Sequence, residues 1–131
     1  ERSGVRYYND SKGTNPDAAI QAIRAMKGPT LLIAGGYDKE ARYDEWVNEF
    51  EGRVKYLVLI GQTRDKISEC AKAHGFTDIM YAEDMSEAVS VCASYANMGD
   101  NVLLSPACAS WGMFKDYEER GRIFKECVRN L

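Results

Sequence analysis

Five short apolar runs of strand length alternate along the whole chain with longer stretches whose apolar residues recur at helical spacing, and this alternation limits the fold more than any other feature. The runs are residues 5–8, 31–34, 54–60, 79–81 and 102–104, most with β-branched or aromatic content and turn residues close by. Between them Ile20, Ile23 and Met26 share one helical face, Trp46, Val47 and Phe50 a second, and Ile67, Cys70 and Ala71 a third. Val89, Cys92 and Tyr95, then Ile123, Phe124, Cys127 and Val128, mark two more. Asn15-Pro16 is a helix start, with Asn able to cap and Pro suited to the first helical position, and Gly75 and Gly99 stand where helices stop. Strands separated by helices pair in parallel. The expectation is an α/β fold: a Rossmann-like, doubly wound, mostly parallel sheet of five or six strands with helices on both faces. The sixth would be an antiparallel strand leading into a hairpin turn at Ser3-Gly4.

A chain of 131 residues, 45% of them hydrophobic, can bury one core and is short for two, so residues 1–131 read as a single domain. A net charge of −3 gives no bulk attraction to nucleic acid or to an anionic membrane. No apolar run reaches the roughly 20 residues that span a bilayer. Cys70, Cys92, Cys108 and Cys127 stand far apart without a CxxC pair, which suits reduced, buried thiols in a cytoplasmic protein better than a disulfide framework or a zinc site. The start, Glu1-Arg2-Ser3, has neither Met nor a signal peptide and reads as a cut from a longer chain.

In an open parallel sheet, ligands bind beyond the carboxyl ends of the strands, where loops meet helix N-termini. Three segments fall there. Asn9-Asp10-Ser11-Lys12-Gly13-Thr14-Asn15-Pro16 gathers a carboxylate, an ammonium, hydroxyls and amides at a helix start; its plainer reading is a polar loop ending in a cap. Ala34-Gly35-Gly36-Tyr37-Asp38-Lys39 pairs glycines that let backbone approach a ligand with a lysine that can meet a carboxylate, although such a turn is more often only a turn. Leu104-Ser105-Pro106-Ala107-Cys108-Ala109-Ser110-Trp111-Gly112-Met113-Phe114 crowds small residues before bulky ones. It fits equally a ligand held under aromatic cover and a tight turn with Trp111 and Phe114 in the core.

Other reactive residues read as structural. His74, the only histidine, falls in a last helical turn, where an imidazole can face the helix C-terminus. Cys108 has no histidine nearby in sequence to activate it. Glu118-Glu119-Arg120 reads first as a solvated helix face, with Arg120-Gly121 alternatively structural and Gly allowing close packing.

Asp10-Ser11-Lys12-Gly13-Thr14-Asn15-Pro16, the Gly35-Gly36-Tyr37-Asp38-Lys39 loop, and Leu104-Ser105-Pro106-Ala107-Cys108-Ala109-Ser110 with Phe114 and Glu119-Arg120-Gly121 together resemble the C-terminal domain of the Mur ligases, specifically their D-glutamate-adding branch. The likeness covers nearly the whole chain. The Asp followed by Asn-Pro is shared with the wider group that includes folylpolyglutamate synthase, and the last segment narrows it. The Asp-Asn-Pro-Arg signature of the diaminopimelate-adding branch is absent. Gly13 stands where Ala is common, and Trp111-Gly112 where Leu-Asp or Trp-Asp is common.

The resemblance implies an ATP-dependent ligase, using Mg2+, that phosphorylates the carboxylate of UDP-N-acetylmuramoyl-L-alanine and joins D-glutamate to it in peptidoglycan synthesis. By matching motif positions, Lys12, Thr14, Lys39, Ser110, Trp111 and Tyr117 would hold D-glutamate, and Asp10 and Lys12 would lie beside ATP. No GxxxxGK[ST] loop, GxGxxG or magnesium-type carboxylate cluster occurs in the sequence. Those parts would belong to two preceding domains of the same chain, with no catalytic residue in this one and no turnover by it alone. The rival readings are a non-catalytic amino-acid or nucleotide binding module and a folylpolyglutamate synthase-like ligase domain.

Overall fold

The computed structural model describes residues 2–131. Five strands, β1 (Arg6–Asn9), β2 (Thr30–Ala34), β3 (Val54–Leu59), β4 (Ile79–Tyr81) and β5 (Asn101–Leu104), form one sheet in the order β1-β5-β2-β3-β4, with every neighbouring pair parallel. Each falls within a residue or two of its apolar run. β2 and β5 lie inside the sheet with every residue buried, as their uninterrupted hydrophobicity requires, whereas the edge strands β1 and β4 keep exposed positions.

The helices are α1 (Pro16–Ala25), α2 (Asp44–Val47), α3 (Arg64–Ala73), α4 (Met85–Tyr95) and α5 (Tyr117–Arg129). Crossovers between parallel strands are right-handed, so the direction of travel along the sheet decides the face a helix covers. From β1 to β4 the chain moves one way, and α1, α2 and α3 pack on one face around Ile23, Leu32, Trp46, Phe50, Leu57 and Ile67. The return from β4 to β5 places α4 on the other face, where Val89, Cys92 and Phe124 of α5 meet Ile33, Val58 and Leu104. The doubly wound expectation holds. α2 is a single turn, shorter than the spacing of Trp46, Val47 and Phe50 implied, because Phe50 lies beyond its last helical residue yet still packs in the core.

The capping signals act as read. Asn15 accepts a hydrogen bond from the Ala18 amide at 3.0 Å with Pro16 at the first helical position, and Gly75 takes φ of +87° just after α3. Gly99 serves the turn into β5 instead, since α4 ends at Tyr95. Ser3 and Gly4 have φ of +53° and +79°, and Arg2 and Val5 exchange both backbone hydrogen bonds at 2.9 Å, which is the two-residue hairpin turn expected there. Among the described residues it leads into an isolated bridge, and the sheet stays five-stranded and wholly parallel.

Candidate functional site

The strand order puts β5 between β1 and β2, so the loop leaving β5 runs between the loops leaving its neighbours. Backbone hydrogen bonds fasten all three together. The Asp10 amide donates to the Leu104 carbonyl at 2.7 Å, and Ala107 donates to Gly13 at 2.9 Å. On the other side Gly35 donates to Pro106 at 3.0 Å and Tyr37 to Ala109 at 2.9 Å. This is the reversal point of a doubly wound sheet, where ligands bind.

Local backbone geometry shows how tightly the loops are drawn. Gly36 has φ of +155°, and a Cβ there would sit 2.5 Å from the Ala109 carbonyl oxygen, so only glycine lets the second and third loops touch. Ala107 takes φ of +61°, a left-handed conformation unusual for a residue with a side chain, and is buried. Strain of this kind persists where surrounding contacts over-determine the backbone. Lys39 lies in a turn fixed by Asp38, whose carboxylate accepts from the Glu40 amide at 2.7 Å and the Lys66 ammonium at 3.2 Å. Those two contacts hold the Asp38 carboxyl below its ordinary range.

Beneath the loops lies Arg120, with no exposed surface. Asp116 caps α5 by accepting from the Glu119 amide at 2.8 Å, which sets Arg120 one turn into the helix. Its guanidinium donates to Ser11 Oγ at 3.0 Å, the Ser11 carbonyl at 2.7 Å and the Cys108 carbonyl at 2.9 Å, bolting the first loop to the third. Burial pushes its pKa down to about 10, still charged at neutral pH. The solvated-face reading of 118–120 is therefore corrected at Arg120, while Glu118 stays exposed. Gly121 bears out the close-packing alternative, since a Cβ there would come within 2.9 Å of Asn9 Nδ2.

Asp10 is half-buried and accepts from Ser105 Oγ at 2.9 Å. Burial raises its pKa, against the lowering effect of Ser105, Arg120 and Lys12. A second buried network joins Tyr43 and Thr63 to Cys108, with the Tyr43 hydroxyl 3.3 Å and Thr63 Oγ1 3.5 Å from Sγ. Thr63 also accepts from the Gly36 amide at 3.0 Å. Cys108 is raised by burial and held as a neutral thiol, which bears out its structural reading. Sequence reasoning missed Tyr43 and Thr63: they lie 65 and 45 residues from Cys108, and neither carries a local motif.

The residues proposed to hold ligand lie along this edge, in adjoining depressions. Thr14 and Lys39 line one with Tyr37, Ala107 and Cys108; its enclosed volume is about 20 Å³, room for a water-sized group. Lys12 and Tyr117 line an open groove of about 590 Å³ along α5, with Arg122, Lys125 and Arg129 outnumbering Glu118 and Glu126. Trp111 borders a third beside Gly36 and Tyr37. At 55% exposed it is not a core residue, so the tight-turn reading fails for Trp111, whereas half-buried Phe114 does pack on the α4–α5 side. Trp111 meets Tyr37 edge-on at 5.3 Å and lies beneath the Lys39 ammonium at 5.7 Å. Ser110 is buried at the base of this rim, its carbonyl accepting from Phe114 at 3.0 Å.

A sheet of this order, with three interlocked loops at its carboxyl edge, defines an α/β domain of the doubly wound class, and comparison with known proteins specifies which. Residues 1–108 match the family described as Mur ligase, glutamate ligase domain, and the chain belongs to that family. It is 62% identical to the UDP-N-acetylmuramoylalanine–D-glutamate ligase of Lachnoclostridium phytofermentans, over 99% of this chain and 29% of the relative. The proteins of the same name from Lachnospira eligens and Thermoanaerobacter sp. are 60% and 56% identical, over 99% and 100% of this chain. The chain spans about 29% of the length of these curated relatives. In fold it is similar to UDP-N-acetylmuramate-alanine ligase MurC from Thermotoga maritima, with a TM-score of 0.59 at 12% identity, over 98% of this chain and 27% of that one.

Proposed function

We propose that this chain is the C-terminal domain of a three-domain, ATP-dependent ligase that joins D-glutamate to UDP-N-acetylmuramoyl-L-alanine. The observation that carries the reading is identity of 62% to a D-glutamate ligase along 99% of the chain, including the Ser110–Tyr117 stretch beyond the family match. The unpaired state of all four cysteines supports a cytoplasmic site of action.

In this reading the domain positions one reactant. D-glutamate carries two carboxylates, and Lys12 and Lys39 are exposed ammonium groups without a carboxylate partner among the described residues. Each charge-assisted hydrogen bond they form is worth about 1.5 to 3 kcal/mol. Thr14 and Ser110 offer hydroxyls, and Trp111 and Tyr117 offer exposed rings that exclude water on one side. The Thr14–Lys39 depression is too small to enclose an amino acid, so the ligand rests on an open edge that the preceding domains would cover. Holding the amine of D-glutamate still against the activated carboxylate replaces a bimolecular encounter by an oriented one.

ATP supplies the phosphoryl group that activates the muramoyl-alanine carboxylate. Lys12, at the mouth of the basic α5 groove, fits a polyphosphate, and Asp10 stands two residues away. In this reading magnesium arrives with the nucleotide, held by its phosphates and by carboxylates of the preceding domains. Among the described residues the one group of three metal-type ligands, Asp44, Cys70 and His74, offers a thiol and an imidazole where magnesium prefers oxygen.

The test is phosphate release by the chain extended through its preceding domains, with ATP, magnesium and UDP-N-acetylmuramoyl-L-alanine, comparing D-glutamate, L-glutamate and diaminopimelate. Release with D-glutamate alone is expected. Release with L-glutamate would move the chain toward the folylpolyglutamate-type reading, and no release with any amino acid would favour a binding module. The 131 residues alone are expected to release none.

A further inference from the structure

We propose that Asp44, Cys70 and His74 form a zinc-type metal site on the α2–α3 side of the domain, apart from the loops that hold the ligase substrates. The sequence argues against zinc because it has no CxxC pair, but the fold assembles a donor set that the sequence separates. Cys70 and His74 stand four residues apart at the end of α3 and so share one helical face, and Asp44 comes from the first residue of α2. The three donor atoms all lie within 4.8 Å of one another.

The distances carry the argument. A tetrahedral zinc ion with bonds to N, O and S of 2.0 to 2.3 Å holds its ligands about 3.3 to 3.8 Å apart. Here His74 Nε2 is 3.0 Å and Cys70 Sγ 3.8 Å from the same oxygen, Asp44 Oδ1. Shifts of a few tenths of an ångström bring both distances from Asp44 into that range, and the Cys70 and His74 donor atoms, within 4.8 Å of one another, close on a shared ion by side-chain rotation. The other oxygen, Oδ2, faces Arg42 at 3.8 Å, so an outer partner steadies the carboxylate without occupying the metal-facing atom. Asp44 and Cys70 are half-buried and His74 is exposed, which leaves a fourth position open to water. A plain surface ion pair needs no thiol at its centre. The mixture of thiolate, imidazole and carboxylate selects a borderline-soft divalent ion over magnesium or calcium.

On binding, the Cys70 S–H bond breaks, a metal–sulfur bond forms and the proton passes to solvent, while His74 binds through Nε2 with its proton on Nδ1. Ligation ties the start of α2 to the end of α3. Asp44 directly follows Tyr43, the residue that reaches Cys108 beneath the substrate loops, so the metal would steady the segment that leads from Lys39 into α2.

The experiment titrates this chain, reduced and metal-free, with Co2+ as a spectroscopic probe and then with Zn2+ in competition. One equivalent of Co2+ should produce a thiolate-to-cobalt charge-transfer band, and Zn2+ should bleach it. Cys70→Ser should abolish the band, and His74→Gln should weaken Zn2+ binding by more than about tenfold, the loss expected even for a residue one shell further out. Cys127→Ser, on α5, should change nothing. Absence of the band in the unaltered chain would overturn the proposal without recourse to any variant, and so would a band that survives Cys70→Ser. Thermal midpoints read without metal identify any variant that has lost its fold.

Discussion

The carboxyl edge of the sheet contains two regions of opposite character. Its interior is closed: Ser11, Ser105, Cys108 and Arg120 are buried, and Arg120 alone makes three hydrogen bonds across two loops. Its rim is open, with Lys12, Lys39, Trp111 and Tyr117 all exposed, and Lys39 and Tyr37 both resting against the Trp111 ring. The interior residues are satisfied by the domain itself, so they set loop shape. The rim residues have donors and ring faces to spare, so they are the ones proposed to engage a ligand. A variant inside should cost stability, and a variant on the rim should cost binding.

The largest effect expected on this division comes from Arg120→Met. It leaves the Ser11 and Cys108 carbonyls without their buried donor, and at about 1 to 3 kcal/mol for each unsatisfied group the loss should be about 3 kcal/mol. Urea denaturation checks it, and a loss below about 1 kcal/mol would show that the loops hold together without the arginine. Lys39→Ala should do the reverse. Its stability change should stay within about 0.5 kcal/mol, while KM for D-glutamate in the extended enzyme rises roughly 10- to 100-fold. An unchanged KM would remove Lys39 from the site.

The two regions also differ in how far they could be read from the sequence. Strands and helices were legible because burial on both faces imposes continuous apolar runs on β2 and β5, and one-sided burial imposes the spacing of Ile20 and Ile23. The rim residues Lys12, Lys39 and Trp111 were legible because each sits in a compact loop motif beside glycines or small residues. The interior was not. Arg120 follows two glutamates and reads as surface until the position of α5 over Ser11 is known, and the Tyr43–Cys108–Thr63 contacts join three separate loops. Tertiary neighbours decide those roles, and no local pattern encodes them. The Asp44–His74 pairing was hidden likewise: His74 was expected to face its own helix end, and its ring reaches a carboxylate 30 residues away.

At the opposite, amino-terminal edge, Lys55 donates to Asp100 at 2.7 Å, which offers a contrast free of the site. Burial alone would raise the Asp100 pKa, but the Asn97 amide and the Lys55 ammonium outweigh it and hold it below the ordinary carboxylate range. A depressed folded pKa gives stability that is present above the unfolded value and lost as pH falls through the folded one. Unfolding free energy should therefore decline with acid below about pH 4, and Asp100→Asn should flatten that limb while leaving KM for D-glutamate unchanged. An acid limb of equal slope in the variant would assign the titration to other carboxylates.

Gly13→Ala should give the smallest change and bears most directly on the border between interior and rim. Its φ lies outside the left-handed region, so alanine is conformationally allowed and gains up to about 1 kcal/mol by restricting the unfolded chain. Against this, the new Cβ would stand 2.6 Å from Asp10 Oδ2 and 3.2 Å from Ser105 Oγ, forcing the carboxylate off its hydroxyl donor. Lost outright, a hydrogen bond to a carboxylate costs about 1.5 to 3 kcal/mol, but half-buried Asp10 can turn to water in its place, so the net change should be under about 1 kcal/mol. A double-mutant cycle isolates the mechanism: if the methyl acts by separating Asp10 from Ser105, its cost should shrink once Ser105→Ala has removed the donor. Strict additivity would mean that the methyl acts on backbone packing instead, and Gly13 would then belong with the closed interior rather than with the ligand-facing rim.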